Sequence, residues 1–200
     1  MSSESFIQNL RKMRVIVVHP GDTDGEDLVR QLKRIGCQVE FVWPPNTVLP
    51  PADAVFFLIG DPPDISWVGL NIDAALVAVL DSESPTLLKA LLDSNAHAVL
   101  VRPLRPAGVL SSLVLALSLR AYEQRLIGKA SKIEETLKAR REIEKATRII
   151  MAMRNMSEGD AYQFIRKQAT AKRVSTSAIA KSIISAQEVL DGLDLQRTAE

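Results

Sequence analysis

The stretch DAVFFLIGDPP, residues 53–63, carries an unbroken apolar run into a glycine and an acidic turn closed by two prolines. A short apolar run rich in β-branched and aromatic residues, stopped by Gly60 and Pro62, reads as a buried strand. What stands at its end decides the chemistry. Leu58 occupies the place where the strand should finish, and Asp61 follows three residues later. A leucine side chain cannot accept a phosphoryl group, whereas the carboxylate of Asp61 could in principle.

Outward from this strand, short apolar runs alternate with amphipathic stretches. VIVV (15–18), QVEFVW (38–43), ALVAVL (75–80) and HAVLVRPL (97–104) complete a set of five strand candidates. EDLVRQLKRIG, PTLLKALLDSN and GVLSSLVLALSL supply helices. Strands of four to six residues alternating with helices indicate an α/β fold, a five-stranded doubly wound parallel sheet with helices on both faces. Ligands of such sheets sit beyond the carboxyl ends of the strands. After residue 120 strand signals stop, and the chain reads as all helix.

Composition excludes several classes. A hydrophobic content of 46% over 200 residues supports a real core, in one large domain or one compact domain with an extension. The single Cys37 excludes an internal disulfide, and Cys37 with His19 and His97 is too small a set for a metal cluster. No metal or other cofactor is therefore expected. The N-terminal MSSESFIQNLRKM lacks a signal-peptide core, and LSSLVLALSL (110–119) is too short to span a bilayer. The expectation is a cytoplasmic protein with no membrane partner.

The net charge of +1 hides an asymmetry. Residues 1–119 hold nine Lys and Arg against thirteen Asp and Glu; residues 120–200 hold sixteen against eleven. Between Lys138 and Lys181 the ratio becomes eleven basic to four acidic, which fits either a phosphate-contacting surface or a solvated helical face.

Within the helical part, Leu119, Leu126, Ala130, Ile133 and Leu137 follow heptad-like spacing, interrupted at Glu123 and continued in a shifted phase by Ile143, Ala146, Ile150 and Met153. A helix from about residue 111 to 154 is too long for a small domain to cover, so pairing with a second copy is expected, against a helix folded back on its own domain. Ser157 is a candidate N-cap for a second helix that puts Ala161, Phe164, Ile165 and Ala169 on one face, and residues 175–190 give a third.

Residues 12–119 resemble the receiver domains of bacterial response regulators, of CheY or flavodoxin-like architecture, through the five-strand pattern with its HAVLVRPL strand. That family ends strand 1 with an acidic pair that holds magnesium, where this chain has His19 and Pro20. Five residues beyond Asp53, at the acceptor position, stands Leu58; Asp81 replaces a small hydroxyl residue, and Arg102-Pro103 replaces Lys-Pro. The resemblance implies a pseudo-receiver. Phosphoryl transfer needs magnesium bridging carboxylates and phosphate, and Asp22, Asp24 and Asp81 are the acids able to reach the rim near Asp61. Asp61 is read as a turn residue, with phosphorylation there as the alternative, and Arg102 as paired to a surface acid.

Other features carry less. HPGDTDG (19–25) lacks both GxGxxG spacing and a P-loop lysine, and reads as a helix-capping loop. Trp43-Pro44-Pro45-Asn46 and VLPPAD replace much of the expected second helix by an extended segment, suited to docking a partner or to packing on the domain. His97 heads strand 5 and reads as structural. No catalytic arrangement emerges, so the chain is not expected to be an enzyme.

Residues 143–190 resemble the ANTAR family, three-helix RNA-binding modules of bacterial transcription antiterminators. Ala146, Ile149, Ile150 and Met151 match its first block; Ser157, Ala161, Tyr162, Ile165, Arg166 and Ala169 its second; Lys172 and Arg173 its basic cluster; Ile179 and Ala180 its last. Thr147 and Arg148 replace the usual Lys-Gly, Asn155 a common glycine, and Thr170 a methionine. Independently of that resemblance, Lys145, Arg148, Arg154, Arg166, Lys167, Lys172 and Arg173 can neutralise phosphates. Tyr162 either packs on the core with its hydroxyl at the edge or stacks on an unpaired base. Arg166 contacts RNA or braces the fold through Glu158 or Asp160. Met151, Met153 and Met156 read as core.

The organisation expected is a pseudo-receiver domain over 1–119, a coiled-coil dimerisation helix over 120–142, an ANTAR module over 143–190 and a tail over 191–200. Including its WPP, ESP and RIGC segments, the whole chain resembles the positive regulators of aliphatic amidase operons. That resemblance implies a homodimer that binds leader mRNA hairpins and prevents terminator formation. It further implies an inhibitory, ligand-sensing partner similar to periplasmic binding proteins. A DNA-binding output through a helix-turn-helix is the remaining alternative.

Overall fold

The computed structural model describes residues 10, 12–45, 49–68 and 72–197, with side chains to residue 192. Asn46 and Val48 of the proline-rich segment, most of the N-terminal stretch and residues 198–200 of the tail lie outside the described residues. Two compact units are present, one ending at Arg125 and one beginning at Leu126.

The first unit runs β1 (Arg14–Val18), α1 (Thr23–Ile35), β2 (Gln38–Val42), β3 (Ala54–Ile59), β4 (Ala75–Leu80), α2 (Pro85–Asp93), β5 (Ala98–Val101) and the start of α3 (Pro106–Arg154). The strands form one parallel sheet in the order β2-β1-β3-β4-β5. The expected α/β class and five strands are those observed. All six residues of β4 are buried, because both faces of a parallel sheet are covered. On one face Val15, Val17, Phe56 and Val77 pack with Leu28 and Leu32 of α1 and Val109, Leu113 and Ala116 of α3. On the other, Ile16, Phe57, Ala78 and Leu80 pack with Leu87 and Ala90 of α2 and with Trp67, which meets the Phe57 ring edge-on at 5.7 Å. No helix is assigned among the described residues between β2 and β4.

HPGDTDG is the capping loop expected. The Asp22 carboxylate accepts from the Gly25 backbone N–H at 2.9 Å and starts α1. Gly25 is required by contact: a Cβ there would stand 2.5 Å from the Pro20 carbonyl oxygen and 2.7 Å from Nδ1 of the buried His19. Gly36, at φ 105°, closes the helix in the left-handed region. His97 is structural. Its Nδ1 accepts from the Leu76 backbone N–H at 2.9 Å, which leaves the proton on Nε2 to be donated to Glu123 at 3.1 Å. Arg120, one turn earlier on α3, pairs with Asp73.

Helix α3 is broken at Gly108, whose φ is 117°, so regular helix begins close to residue 111 as the sequence suggested. In the first unit its inward face is Val109, Leu113 and Ala116, while Leu115, Leu119 and Tyr122 are exposed. The expected interruption at Glu123 has a cause: that carboxylate faces His97, and Tyr122 takes its place on the exposed apolar face.

The second unit comprises the rest of α3, α4 (Glu158–Lys172) and α5 (Thr176–Arg197). Leu126, Ile133 and Leu137 are exposed along α3. The expected continuation of this seam is corrected, since Ala146 and Ile150 are buried with Ala161, Ile165, Ala169, Ile179 and Ala180 as the core of the three helices, and Ile143 packs against them. Met151 and Met156 pack on the same core; Met153, expected there too, is 63% exposed. Asn155 adopts φ 49°, a conformation asparagine tolerates where glycine is common.

Candidate functional sites: the strand-end rim and the basic three-helix surface

At the carboxyl ends of the strands, β3 continues through Leu58 to Ile59. Leu58 is half-buried against the core, and no oxygen is presented at that position. Asp61 lies exposed beyond Gly60, in a bend before Pro62. Asp22 and Asp24 come from the start of α1 and Asp81 from the end of β4. All three meet one guanidinium. Arg102, just past β5, directs Nη2 to Asp22 at 2.9 Å, Nε to Asp24 at 2.5 Å and Nη1 to Asp81 at 2.6 Å.

The electrostatics follow from this geometry. The hydrogen bond from Arg102 holds the Asp24 carboxyl below its ordinary range, against the opposing effect of burial and with help from the Leu104 backbone N–H. Burial disfavours the Arg102 charge, but its bonds to Asp24 and Asp81 outweigh that and raise its pKa. These acids are therefore satisfied by a cation belonging to the chain. Among the described residues no cluster of three or more His, Cys, Asp or Glu is arranged to hold a metal ion.

On the second unit, Ser157 caps α4: its Oγ accepts from the Asp160 backbone N–H at 3.2 Å and donates to the Asp160 carboxylate at 2.7 Å. Helix α4 turns Ala161, Ile165 and Ala169 inward, which leaves Arg166 and Lys167 exposed. Lys172 ends the helix. Arg173 caps it in the left-handed conformation, φ 56°, a strained state for a side chain with a Cβ. Arg148 is exposed on α3 beside the buried Thr147, whose hydroxyl donates to the Ile143 carbonyl at 2.8 Å.

Three of the sequence-predicted residues are placed in ways the sequence did not show. Lys145 is ion-paired with Glu188 at 3.0 Å. Arg154 sets its guanidinium over the Phe164 ring, 4.2 Å from the centroid. Tyr162 is 41% exposed rather than packed in the core, and it lines a groove with Ile143, Thr147, Glu144 and Glu158. Among the described residues Arg166 makes no ion pair with Glu158 or Asp160. Sequence reasoning placed Phe164 only on the core face; the one available signal was an aromatic beside a basic helix end.

The first unit carries a five-stranded parallel sheet whose rim acids meet Arg102. A family model described as AmiR, N-terminal, matches residues 13–117, more than half of the chain. The chain belongs to the AmiR N-terminal family. The ANTAR domain model matches residues 131–184, so this AmiR-type chain is an ANTAR regulator. It is 29% identical over 190 residues to the aliphatic amidase regulator of Pseudomonas aeruginosa, spanning 92% of this chain and 97% of that protein. The transcriptional regulatory protein PdtaR of Mycobacterium tuberculosis is 24% identical over 111 residues, 56% of this chain and 54% of that one. The solved structure of the response regulator StyR covers 86% of the AmiR-type chain and 98% of its own, with 13% identity and a TM-score of 0.50, a likeness of fold alone. Among the described residues no helix is long and apolar enough to cross a membrane.

Proposed function

We propose that this chain is a transcription antiterminator that acts as a homodimer. Its three-helix module, residues 143–190, binds hairpins in a nascent leader mRNA and keeps a terminator from forming. The observation that carries this reading is the cationic surface on an ANTAR-matched unit. Arg148, Arg166, Lys167, Lys172 and Arg173 are exposed there, with no ion pair to an acid among the described residues. Such groups serve phosphate contacts. Residues 120–142 are assigned to dimerisation, because Leu126, Ile133 and Leu137 lie exposed at heptad-like spacing on a long helix.

Control is assigned to a ligand-sensing protein that holds the regulator inactive in the cytoplasm, as the resemblance to regulators of aliphatic amidase operons implies. Leu58 at the acceptor position and Arg102 among the rim acids favour that over phosphorylation of Asp61. The proposal is tested by selecting RNA hairpins from a randomised-loop library with the full chain. The selected hairpin then competes against duplex DNA at several salt concentrations. Salt-sensitive preference for the hairpin is expected; equal or tighter binding of the duplex overturns it.

A further inference from the structure

The Arg154 guanidinium over Phe164 differs from the other basic groups of the second unit. Lys145, Arg140 and Lys181 each lie within 4 Å of a carboxylate, on Glu188, Glu144 and Glu142. No ion pair of Arg154 occurs among the described residues; its partner is a π face. Phe164 is half-buried against the three-helix core, whereas Arg154 is exposed. A guanidinium stacked on one aromatic leaves its other face available to a second flat group. One turn along α4 from Phe164, Lys167 is exposed and adds positive charge. Asp160, one turn the other way, has its carboxylate engaged by the Ser157 hydroxyl.

Tyr162 is less suited to the same task. It projects from α4 two residues before Phe164, hence from a different side of the helix, into a groove whose lining includes Glu144 and Glu158. Arg140 also lines that groove but is paired with Glu144 at 3.0 Å, so the groove offers Tyr162 no unpaired cation, and Glu158 adds negative charge beside it.

We infer that Arg154 and Phe164 form a stacking platform for one unpaired nucleobase, with Arg154 the contact residue and Phe164 the residue that holds it flat. This rests on the RNA-binding reading above. It gives Arg154 a role in base capture, where charge alone suggested phosphate neutralisation, and it removes Tyr162 from the stacking role. A base has a π face whatever its identity, so the platform favours an extruded loop nucleotide over a paired one.

The test uses the full chain and the hairpin selected by the wild type, with each loop position made abasic in turn. At one position, loss of the base should weaken wild-type binding at least about fivefold. Arg154→Lys keeps the charge and loses the plane; Phe164→Leu keeps apolar bulk and loses the ring. Both variants should bind the intact hairpin several-fold more weakly, with an unchanged salt slope, and show no further loss at that abasic position. Should either folded variant still suffer the full abasic penalty, or bind the intact hairpin like wild type, the platform is wrong. Arg154 is exposed, so Arg154→Lys decides the matter even where Phe164→Leu impairs folding. If the wild type shows no hairpin preference at all, it is the RNA-binding reading that fails.

Discussion

Nε of Arg102 lies 2.5 Å from Oδ2 of Asp24, although 78 residues separate them in the chain. The contact ties the start of α1 to the exit from β5. Nη1 extends the tie to Asp81 at the end of β4. Arg102→Met would keep the apolar stem but leave three carboxylates facing one another. The expected cost is about 1–3 kcal/mol, since the groups are only partly buried. Urea unfolding followed by tryptophan fluorescence checks it, because both tryptophans, Trp43 and Trp67, belong to the first unit. The wild type should show no gain in stability from millimolar magnesium.

The lowered pKa of Asp24 fixes a pH dependence. Folding favours its ionised form, so this stabilisation is fully present above the ordinary carboxylate pKa of about 4. It is lost as pH falls through the lower folded value. Asp24→Asn should therefore cost stability at neutral pH and flatten the acid limb of the stability curve below about pH 4.

At the other end of the sheet, His97→Phe fills the space of the imidazole and strands the Leu76 N–H, while the Glu123 carboxylate keeps Arg120 at 3.8 Å. A loss of about 1–3 kcal/mol in the first unit is expected. Glu123→Gln, which still accepts from Nε2, should cost far less by the same fluorescence measurement.

Leu126→Glu with Ile133→Glu places charges on the exposed apolar face of α3. Sedimentation should show dimer converted to monomer, while circular dichroism retains the helical signal of α4 and α5. A dimer that survives both changes rules out the seam.

Arg173 is both a cation and a strained helix cap. Arg173→Gly relieves the left-handed strain and removes the charge, so hairpin affinity should fall while thermal stability holds or rises. Lys172→Ala joined to it should weaken binding further and reduce the salt slope by about two in all.

The sheet was legible because its strands are short apolar runs whose ends are punctuated by Gly, Pro and Asp, as in residues 53–63. That position 58 holds a leucine where the resemblance expects an aspartate was legible by counting alone. The convergence of Asp22, Asp24, Asp81 and Arg102 was only partly so: the acids could be assigned to one rim, but their sharing of a single guanidinium is a tertiary fact. Periodicity misled in one stretch. It put Ala146 and Ile150 on the intermolecular seam, though a helix face of that spacing serves equally against α4 and α5. The separate reading of Met153 as core fails as well, since it is 63% exposed although Met151 and Met156 on either side pack on that core. The stacking of Arg154 on Phe164 depends on how α3 turns into α4, which residue types do not encode.

The tight fit of Gly25 against the buried His19 ring limits how the rim could be re-engineered. An aspartate placed at position 58 would still face a rim whose acids are held by Arg102. An acid in place of His19 would leave a hole beneath Gly25 and bury an unpaired charge beside Asp22. Arg102 would have to leave before any metal could enter. A cation built into the chain thus closes the rim from within, and any substitution meant to open it must remove the tie between α1, β4 and β5 at the same time.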